Sequence, residues 1–321
     1  MTNARPTVSV VMATYNGAAF IREQIDSILN QTYPISELII QDDCSTDSTP
    51  AICREYEEKY PIVHFYENER NLGFNDNFRT AAMRATGDYI ALSDQDDVWF
   101  PEKIAKQVAA IGNHDICTSL VSRGTSTHNM IPDKYSNDVR VGAHVFRDIL
   151  GHTILAKKEF LHCDCNWHGT FIYDWNLTLH ADWGNGITKV QEPLVFHRSH
   201  KNSFTVISQI SKAHSESLTA PYIHGLQELR KMQQMPKFIN HCQFIQRNTH
   251  NINDKSIQLQ NKISKLLLSH SAGDLLKLCI LCMKNRKELY NPPYKAKGVM
   301  GAVHGFFLPL FFAYYSNIVF E

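Results

Sequence analysis

Short β-branched runs alternate with amphipathic stretches through the first half of the chain. Val8–Ala13, Glu37–Gln41, Ile62–Tyr66, Asp88–Leu92 and Ile116–Val121 read as strands. Between them Ala18–Asn30, Pro50–Tyr60, Asn75–Ala85 and Pro101–Ile111 read as helices. Pro50 and Pro101 stand near the first helical position, where a missing N–H costs nothing. From residue 7 to about residue 120 the order is βαβα, which predicts a parallel sheet flanked by helices.

Polar residues gather where strands end: Thr14-Tyr15-Asn16-Gly17, Asp42-Asp43-Cys44-Ser45 and Ser93 to Asp97. In an open α/β sheet the ligand crevice lies outside the carboxyl ends of the strands, so these clusters are expected to converge. No Gly-x-Gly-x-x-Gly follows the first strand and no Gly-x-x-x-x-Gly-Lys-Ser/Thr occurs, which disfavours dinucleotide and P-loop chemistry.

From about Thr205 the texture changes to longer polar and amphipathic segments, Gln209–Met235, Ile252–Leu268 and Leu275–Met283, read as helices. The expected division is a catalytic domain over 1–205 and a mainly helical region over 206–321. Gly298–Phe320 carries no charged residue apart from a protonatable His304 and could span a bilayer by length. Its Gly, His, Pro, Ser and Asn interruptions favour a surface contact with membrane or a partner, or a helix pair packed on the catalytic domain.

Composition narrows this little. The 321 residues suffice for a sizeable core, and a formal net charge of +0 gives no global field for nucleic acid. The start of the chain lacks the signature of a signal peptide, so a cytoplasmic setting is expected and the 8 cysteines are expected as free thiols. His162-Cys163-Asp164-Cys165-Asn166-Trp167-His168 looks like a soft-metal site, but one Cys-x-Cys pair in one short loop cannot easily wrap a zinc tetrahedron. An acceptor-side loop is the preferred reading.

The acidic run is the strongest chemical signal. A buried strand leads directly into Asp94, Asp96 and Asp97, and carboxylates so close raise one another's pKa unless a cation neutralises them. Hard oxygen donors suit Mg²⁺ or Mn²⁺, which bridge to substrate phosphates. The plain alternative is a solvated loop that caps the following helix.

With these segments in order, the chain resembles family 2 glycosyltransferases. The resemblance is carried by Pro6–Gly17, by Ser27–Tyr33, by Glu37–Asp47, and by Gly87-Asp88-Tyr89-Ile90 followed by Asp94-Gln95-Asp96-Asp97. It covers about 200 residues, and the Ser-Asp-Gln-Asp-Asp-Val-Trp wording is similar to the bacterial rhamnosyltransferase-like branch. It implies a GT-A fold, α/β and Rossmann-like, with a mostly parallel sheet flanked by helices and a C-terminal helical appendage.

It also implies roles. Thr14 and Tyr15 would stand at the nucleotide base, with Asp43 accepting from the base N–H and Asp42 near the ribose. Asn77 would touch the donor, although an ordinary surface position fits it equally. Asp94 and Asp96 would hold Mg²⁺ or Mn²⁺, with His200 as a further metal contact and Arg198 on phosphate. Asp97 would reach the donor or cap the next helix. Gly151-His152-Thr153 resembles the segment lining donor sugar and acceptor. Asp174, in Tyr173-Asp174-Trp175-Asn176, resembles the catalytic base at a helix start; Tyr173 and Asn176 depart from the family wording. The implied reaction is an inverting single displacement, in which Asp174 deprotonates an acceptor hydroxyl. The donor would be a UDP- or dTDP-sugar and the acceptor a glycan or lipid-linked intermediate. Two other classes stay open: a sugar-nucleotide pyrophosphorylase, and a non-catalytic nucleotide- or carbohydrate-binding module.

Overall fold

A computed structural model describes residues 5–169, 172–200, 219–290 and 296–320. The β-branched runs form β1 (Val8–Thr14), β2 (Glu37–Asp42), β3 (Val63–Glu67) and β4 (Tyr89–Ser93). Between them lie α1 (Ile21–Leu29), α2 (Thr49–Lys59) and α3 (Phe74–Arg84). Then follow β5 (Val98–Trp99), α4 (Lys103–Ile111), β6 (Ile116–Gly124), β7 (Ile131–Asp133), β8 (Leu155–Lys157), α5 (Lys158–Leu161), α6 (Tyr173–Trp183) and β9 (Ile187–Arg198).

One sheet holds the nine strands of the described residues, in the order β3-β2-β1-β4-β8-β6-β9-β5, with β7 paired on β6. The half formed by β3, β2, β1 and β4 is wholly parallel. Its strands read as near-continuous apolar runs because both faces are covered: Val8, Val10, Val11 and Met12 are all 0% exposed. Ile21, Ile25 and Ile28, spaced along one stripe of α1, pack into the same core as Val8, Val10, Met12, Leu38 and Ile40.

The β6 strand is not the next neighbour of β4. The short β8, running antiparallel to both, lies between them. Three residues with no alternation around them gave no signal for that strand. Its placement brings the segment just before it, Gly151–Thr153, a turn of 3₁₀ helix, beside the end of β4. β9 then runs parallel to β6 with irregular register between Ser119 and Val121, and β5 pairs antiparallel with β9.

The chain divides into two compact units. The first holds the chain up to Asn137 with Ile149–His168 and Ile172–Ser199; the second holds Asp138–Asp148 and the chain from His200 onward. The boundary expected at residues 205 and 206 lies outside the described residues. The second unit contains α7 (Ala220–Met232), α8 (Pro236–Thr249), α9 (Lys255–Leu267), α10 (Ala272–Lys284), α11 (Arg286–Leu289) and α12 (Gly298–Phe320). Residues 209–218 of the first expected helix lie outside the described residues. The α8 helix was not anticipated; its Pro at the first turn was the available mark. Asp254 caps α9 by accepting from the Ser256 and Ile257 amides at 2.8 and 3.0 Å.

The apolar terminal segment is one continuous helix that runs through Pro309. α12 packs on α7 and α10, and Gly225 on α7 allows the approach, since a Cβ there would stand 2.7 Å from Leu310 Cβ. By length and composition the helix could cross a membrane, and its apolar stretch is 44% buried within the protein.

The cysteine expectation is corrected at one pair. Cys163 and Cys165 are joined as a disulfide, their Cα atoms 5.3 Å apart at the entry to a 3₁₀ turn, within bonding range. Cys44, Cys53, Cys117, Cys242, Cys279 and Cys282 are free.

Candidate active site

The parallel register sets Thr14 opposite Asp42 and Met12 opposite Ser93, so the three polar clusters sit at one end of the sheet. Asp42 is turned inward. It accepts from the Thr14 hydroxyl at 2.8 Å, from the Ser45 amide at 2.8 Å and from the Ser45 hydroxyl at 2.6 Å. Cys44, at φ 64, makes the left-handed step that returns Ser45 to it.

Asp43, also buried, anchors the next loop. Its carboxylate accepts from Asn68 Nδ2 at 2.8 Å, from the Leu72 amide at 2.7 Å and from the Gly73 amide at 2.8 Å. Asn77 is buried, not on the surface: its amide donates to the Gln41 carbonyl and accepts from Asn68. It therefore meets the Asp43 anchor through Asn68. Asn68 was not singled out from the sequence; the Asn71-Leu72-Gly73 turn was the mark beside it. A groove of about 460 Å³ opens along Asn68, Glu69, Arg70 and Leu72.

Tyr15 is held by its backbone and is 50% exposed. The Gln95 amide donates to the Tyr15 carbonyl at 2.9 Å and accepts from the Tyr15 N–H at 3.0 Å. Gly17 makes room for that clamp, because a Cβ there would lie 2.0 Å from Gln95 Oε1. The turn after β1 and the acidic run are thus joined through one side chain.

At the other end of the run the carboxylates separate. Asp94 is partly exposed and stands 3.2 Å from His152 Nδ1. Burial raises its pKa above the ordinary carboxylate value, opposed by His197. The Asp96 carbonyl accepts from Arg198 Nε at 3.1 Å. Asp97 is fully buried, with Oδ1 3.2 Å from His197 Nδ1 and Oδ2 3.6 Å from His152 Nδ1. Asp97 Oδ2 has no hydrogen-bond partner. Burial pushes the His152 pKa down to about 4, against the pull of Asp97. Burial also works against the charge on His197, but its bond with Asp97 outweighs it and the pKa is raised.

Asp97, His152 and His197 each offer a donor atom, all within 4.8 Å of one another. His152 and His197 were not assigned as metal contacts from sequence. His152 was visible only in a Gly-His-Thr triplet, and His197 one place before Arg198. Arg198 is buried; its Nη2 donates to Glu23 at 2.5 Å, and its guanidinium lies 5.1 Å over the Phe20 ring. His200 falls in the second unit.

Asp174 lies in the first turn of α6, where one carboxylate oxygen accepts from the Trp175 amide at 2.9 Å. The helix start is held in place by neighbours. The Tyr173 amide donates to Asn75 Oδ1 at 2.8 Å, Asn176 Nδ2 donates to the Trp167 carbonyl at 2.9 Å, and the Tyr173 ring lies 4.6 Å from that of Phe78.

A family model described as glycosyl transferase family 2 matches residues 9–176. The chain is 41% identical over 108 residues to the putative teichuronic acid biosynthesis glycosyltransferase TuaG of Bacillus subtilis, covering 34% of this chain and 43% of that protein. It is 29% identical over 213 residues to the dTDP-rhamnosyl transferase RfbG of Shigella flexneri, covering 60% of this chain and 72% of RfbG. The chain thus spans less than half the length of TuaG. Among solved structures, the mannosyltransferase PcManGT of Pyrobaculum calidifontis, in complex with GDP-Man and Mn²⁺, matches with a TM-score of 0.58 at 18% identity over 98% of this chain and 88% of that one. S. aureus TarS 1-349 in complex with UDP-GlcNAc matches with a TM-score of 0.53 at 16% identity, over 98% of this chain and 92% of that one. At such identities the likeness is one of fold, GT-A in both. With the matched residues spanning the strands that carry the Tyr15, Asp43 and Asp94–Asp97 clusters, the chain belongs to glycosyl transferase family 2.

Proposed function

We propose that the protein is a metal-dependent, inverting glycosyltransferase acting in bacterial surface-polysaccharide synthesis. It moves a sugar from a UDP- or dTDP-sugar to a hydroxyl of a glycan or lipid-linked acceptor. The observation that carries this reading is the clamp between Tyr15 and Gln95, which ties an exposed aromatic face to the acidic run at one end of the sheet. A flat ring suits a pyrimidine, and an adjacent acidic run suits the cation on its diphosphate. The names of TuaG and RfbG, and the nucleotide sugars in TarS and PcManGT, support the same class.

In this reading Tyr15 packs on the base, and Thr14, Asp42, Asp43 and Asn77 build the pocket around base and ribose. Arg198 steadies the run next to the diphosphate. The cation, Mg²⁺ or Mn²⁺ on Asp94 and Asp96, supplies Lewis-acid stabilisation of the leaving diphosphate when bound. His200 is read as a further contact. Asp174 accepts the proton of the acceptor hydroxyl as its oxygen bonds to the anomeric carbon and the bond to the diphosphate breaks, which inverts configuration. A single carboxylate base suffices, in contrast to the paired carboxylates of retaining glycosidases.

A peripheral contact of the second unit with the cytoplasmic face of the membrane belongs to this reading. From residue 219 onward there are thirteen Lys and Arg against five Asp and Glu, so a net charge of zero conceals a basic C-terminal region. Ile223, Leu226, Val299, Met300 and Tyr315 are exposed there. Sedimentation with anionic vesicles but not with neutral ones is the expected result.

The test of the activity is a thermal-shift screen of nucleotide sugars with and without Mn²⁺, followed by transfer assays. Asp174→Asn is expected to lower kcat by about 10²–10⁴-fold with donor binding kept. Unchanged turnover in that variant, or a product of retained configuration, would falsify the mechanism. Pyrophosphate release from nucleoside triphosphate and sugar phosphate would point to a pyrophosphorylase instead.

A further inference from the structure

Cys163 and Cys165 are the two exposed cysteines of the eight, and they are the pair joined as a disulfide. Of the other six, Cys53, Cys117, Cys242, Cys279 and Cys282 are buried and Cys44 is half-buried. Burial pushes the thiols of Cys53 and Cys117 up to about 12 and that of Cys279 up to about 11, which leaves almost no thiolate at neutral pH. Exchange with an outside thiol needs an accessible sulfur, and the exposed pair offers two. The bridge spans a single residue. A loop so short constrains the unfolded chain little, so the bridge adds little to global stability. Opening it is felt locally.

The local connections lead to α6. Asp164, the residue inside the ring, is ion-paired to Arg79 of α3 at 2.5 Å and stands 3.4 Å from His168. A surface ion pair contributes little by itself, and it is the closed ring that presents Asp164 to α3 in one orientation. Asn166 and Trp167, the two buried residues after the bridge, donate their side-chain N–H groups to the Phe160 and Leu161 carbonyls of α5, each at 2.7 Å. Trp167 in turn supports the start of α6. Its carbonyl accepts from Asn176, and its ring stacks on Tyr173 with centroids 6.0 Å apart. Asp174 lies between those two residues.

We propose that Cys163–Cys165 is a thiol–disulfide exchange site for a dithiol reductant, and that its redox state sets how firmly Asp174 is positioned. The dithiol attacks one sulfur as a thiolate and forms a mixed disulfide, from which its second thiol displaces the chain's sulfur. Two electrons and two protons pass from the reductant to the pair. Cys163 and Cys165 become thiols, and the reductant leaves as a disulfide. With the ring open the segment before Trp167 loses its cross-link, and the start of α6 loosens with it. In a cytoplasmic setting an exposed bridge is transient and regulatory, not structural. The thiol chemistry stands by itself, and only its effect on Asp174 rests on the glycosyltransferase reading.

The full chain is equilibrated in mixtures of reduced and oxidised dithiothreitol, and each cysteine is read by alkylation and peptide mass. A reversible two-electron transition confined to Cys163 and Cys165 is expected in the folded protein. Reduction is expected to quicken hydrogen exchange at residues 172–176 while β1 stays slow, and to lower kcat by about ten-fold with the donor KM kept. A double variant, Cys163→Ser with Cys165→Ser, should match the reduced parent and ignore dithiothreitol. A bridge that opens only in denaturant overturns the exchange site, and that result needs no variant to fold. Equal hydrogen exchange in the two parent states, an equal and measurable kcat, or a double variant that still responds to dithiothreitol overturns the coupling to α6. Absence of sugar transfer in both states, with the transition and the change in hydrogen exchange intact, defeats the glycosyltransferase reading and leaves the redox site standing.

Discussion

The phenol oxygen of Tyr173 fills the space beside Gly151 so closely that a Cβ on Gly151 would lie 1.9 Å from it. The start of α6, with Asp174 one residue on, is therefore indexed against the turn that carries His152. Gly151→Ala is expected to push Tyr173 away, destabilising the protein by about 1–3 kcal/mol and lowering activity. Adding Tyr173→Phe, which removes the hydroxyl, should recover much of both. A double-mutant cycle with strictly additive losses would show that the two residues do not meet in this way.

Asp43 holds the Leu72 and Gly73 amides as well as Asn68. Asp43→Asn replaces an anionic acceptor by an amide that satisfies fewer of these donors, at a cost of about 1–3 kcal/mol. Hydrogen exchange at Leu72 and Gly73 is expected to quicken while exchange in β1 stays slow. Equal protection in both proteins would refute the anchor.

Lys103 is fully buried, its Nζ donating to Gln107 Oε1 at 2.9 Å and lying 3.8 Å from the centroid of the Trp99 ring. Burial pushes its pKa down to about 7, against the attraction of Cys117 and Asp97. The unfolded chain keeps this proton up to about pH 10.4. Between pH 7 and that point the unfolded state binds more protons, so this group makes stability rise with pH, by at most about 1.4 kcal/mol per unit. Below pH 7 both states are charged and the slope vanishes. Lys103→Met should flatten the rise, as measured by urea unfolding at pH 6.5 and 9.5. Parallel profiles for parent and variant would count against a neutral lysine.

The disulfide gives a simple count. Alkylation in denaturant without reductant should modify six cysteines, and prior reduction should raise this to eight, as read by intact mass. Eight modified without reductant would mean that Cys163 and Cys165 are thiols.

The parallel half of the sheet was legible because both its faces are buried, which writes continuous apolar runs such as Val8-Ser9-Val10-Val11-Met12 into the chain. The clustering of Thr14, Asp42 and Ser93 followed from the strand-end rule alone. What stayed hidden was set by partners remote in sequence. β8 is a strand only because β4 and β6 flank it. The surface alternative for Asn77 stayed open because nothing local shows that Gln41 and Asn68 consume its amide. His152 and His197 lie far apart in the chain, and only the placement of the turn before β8 and of the end of β9 makes them neighbours. The disulfide was set aside on grounds of compartment, a consideration that does not bear on how close two cysteines in a tight turn stand.

The position of β9 also orders the birth of the protein. The contacts of Asp42 and Asp43 come from partners within about thirty residues, as in the 29-residue separation from Leu72, and can form early in translation. Asp97 and His197 stand 100 residues apart, so their meeting waits for β9 to leave the ribosome and join the sheet. A nascent chain can therefore close the loops around Asp42 and Asp43 well before His197 reaches Asp97.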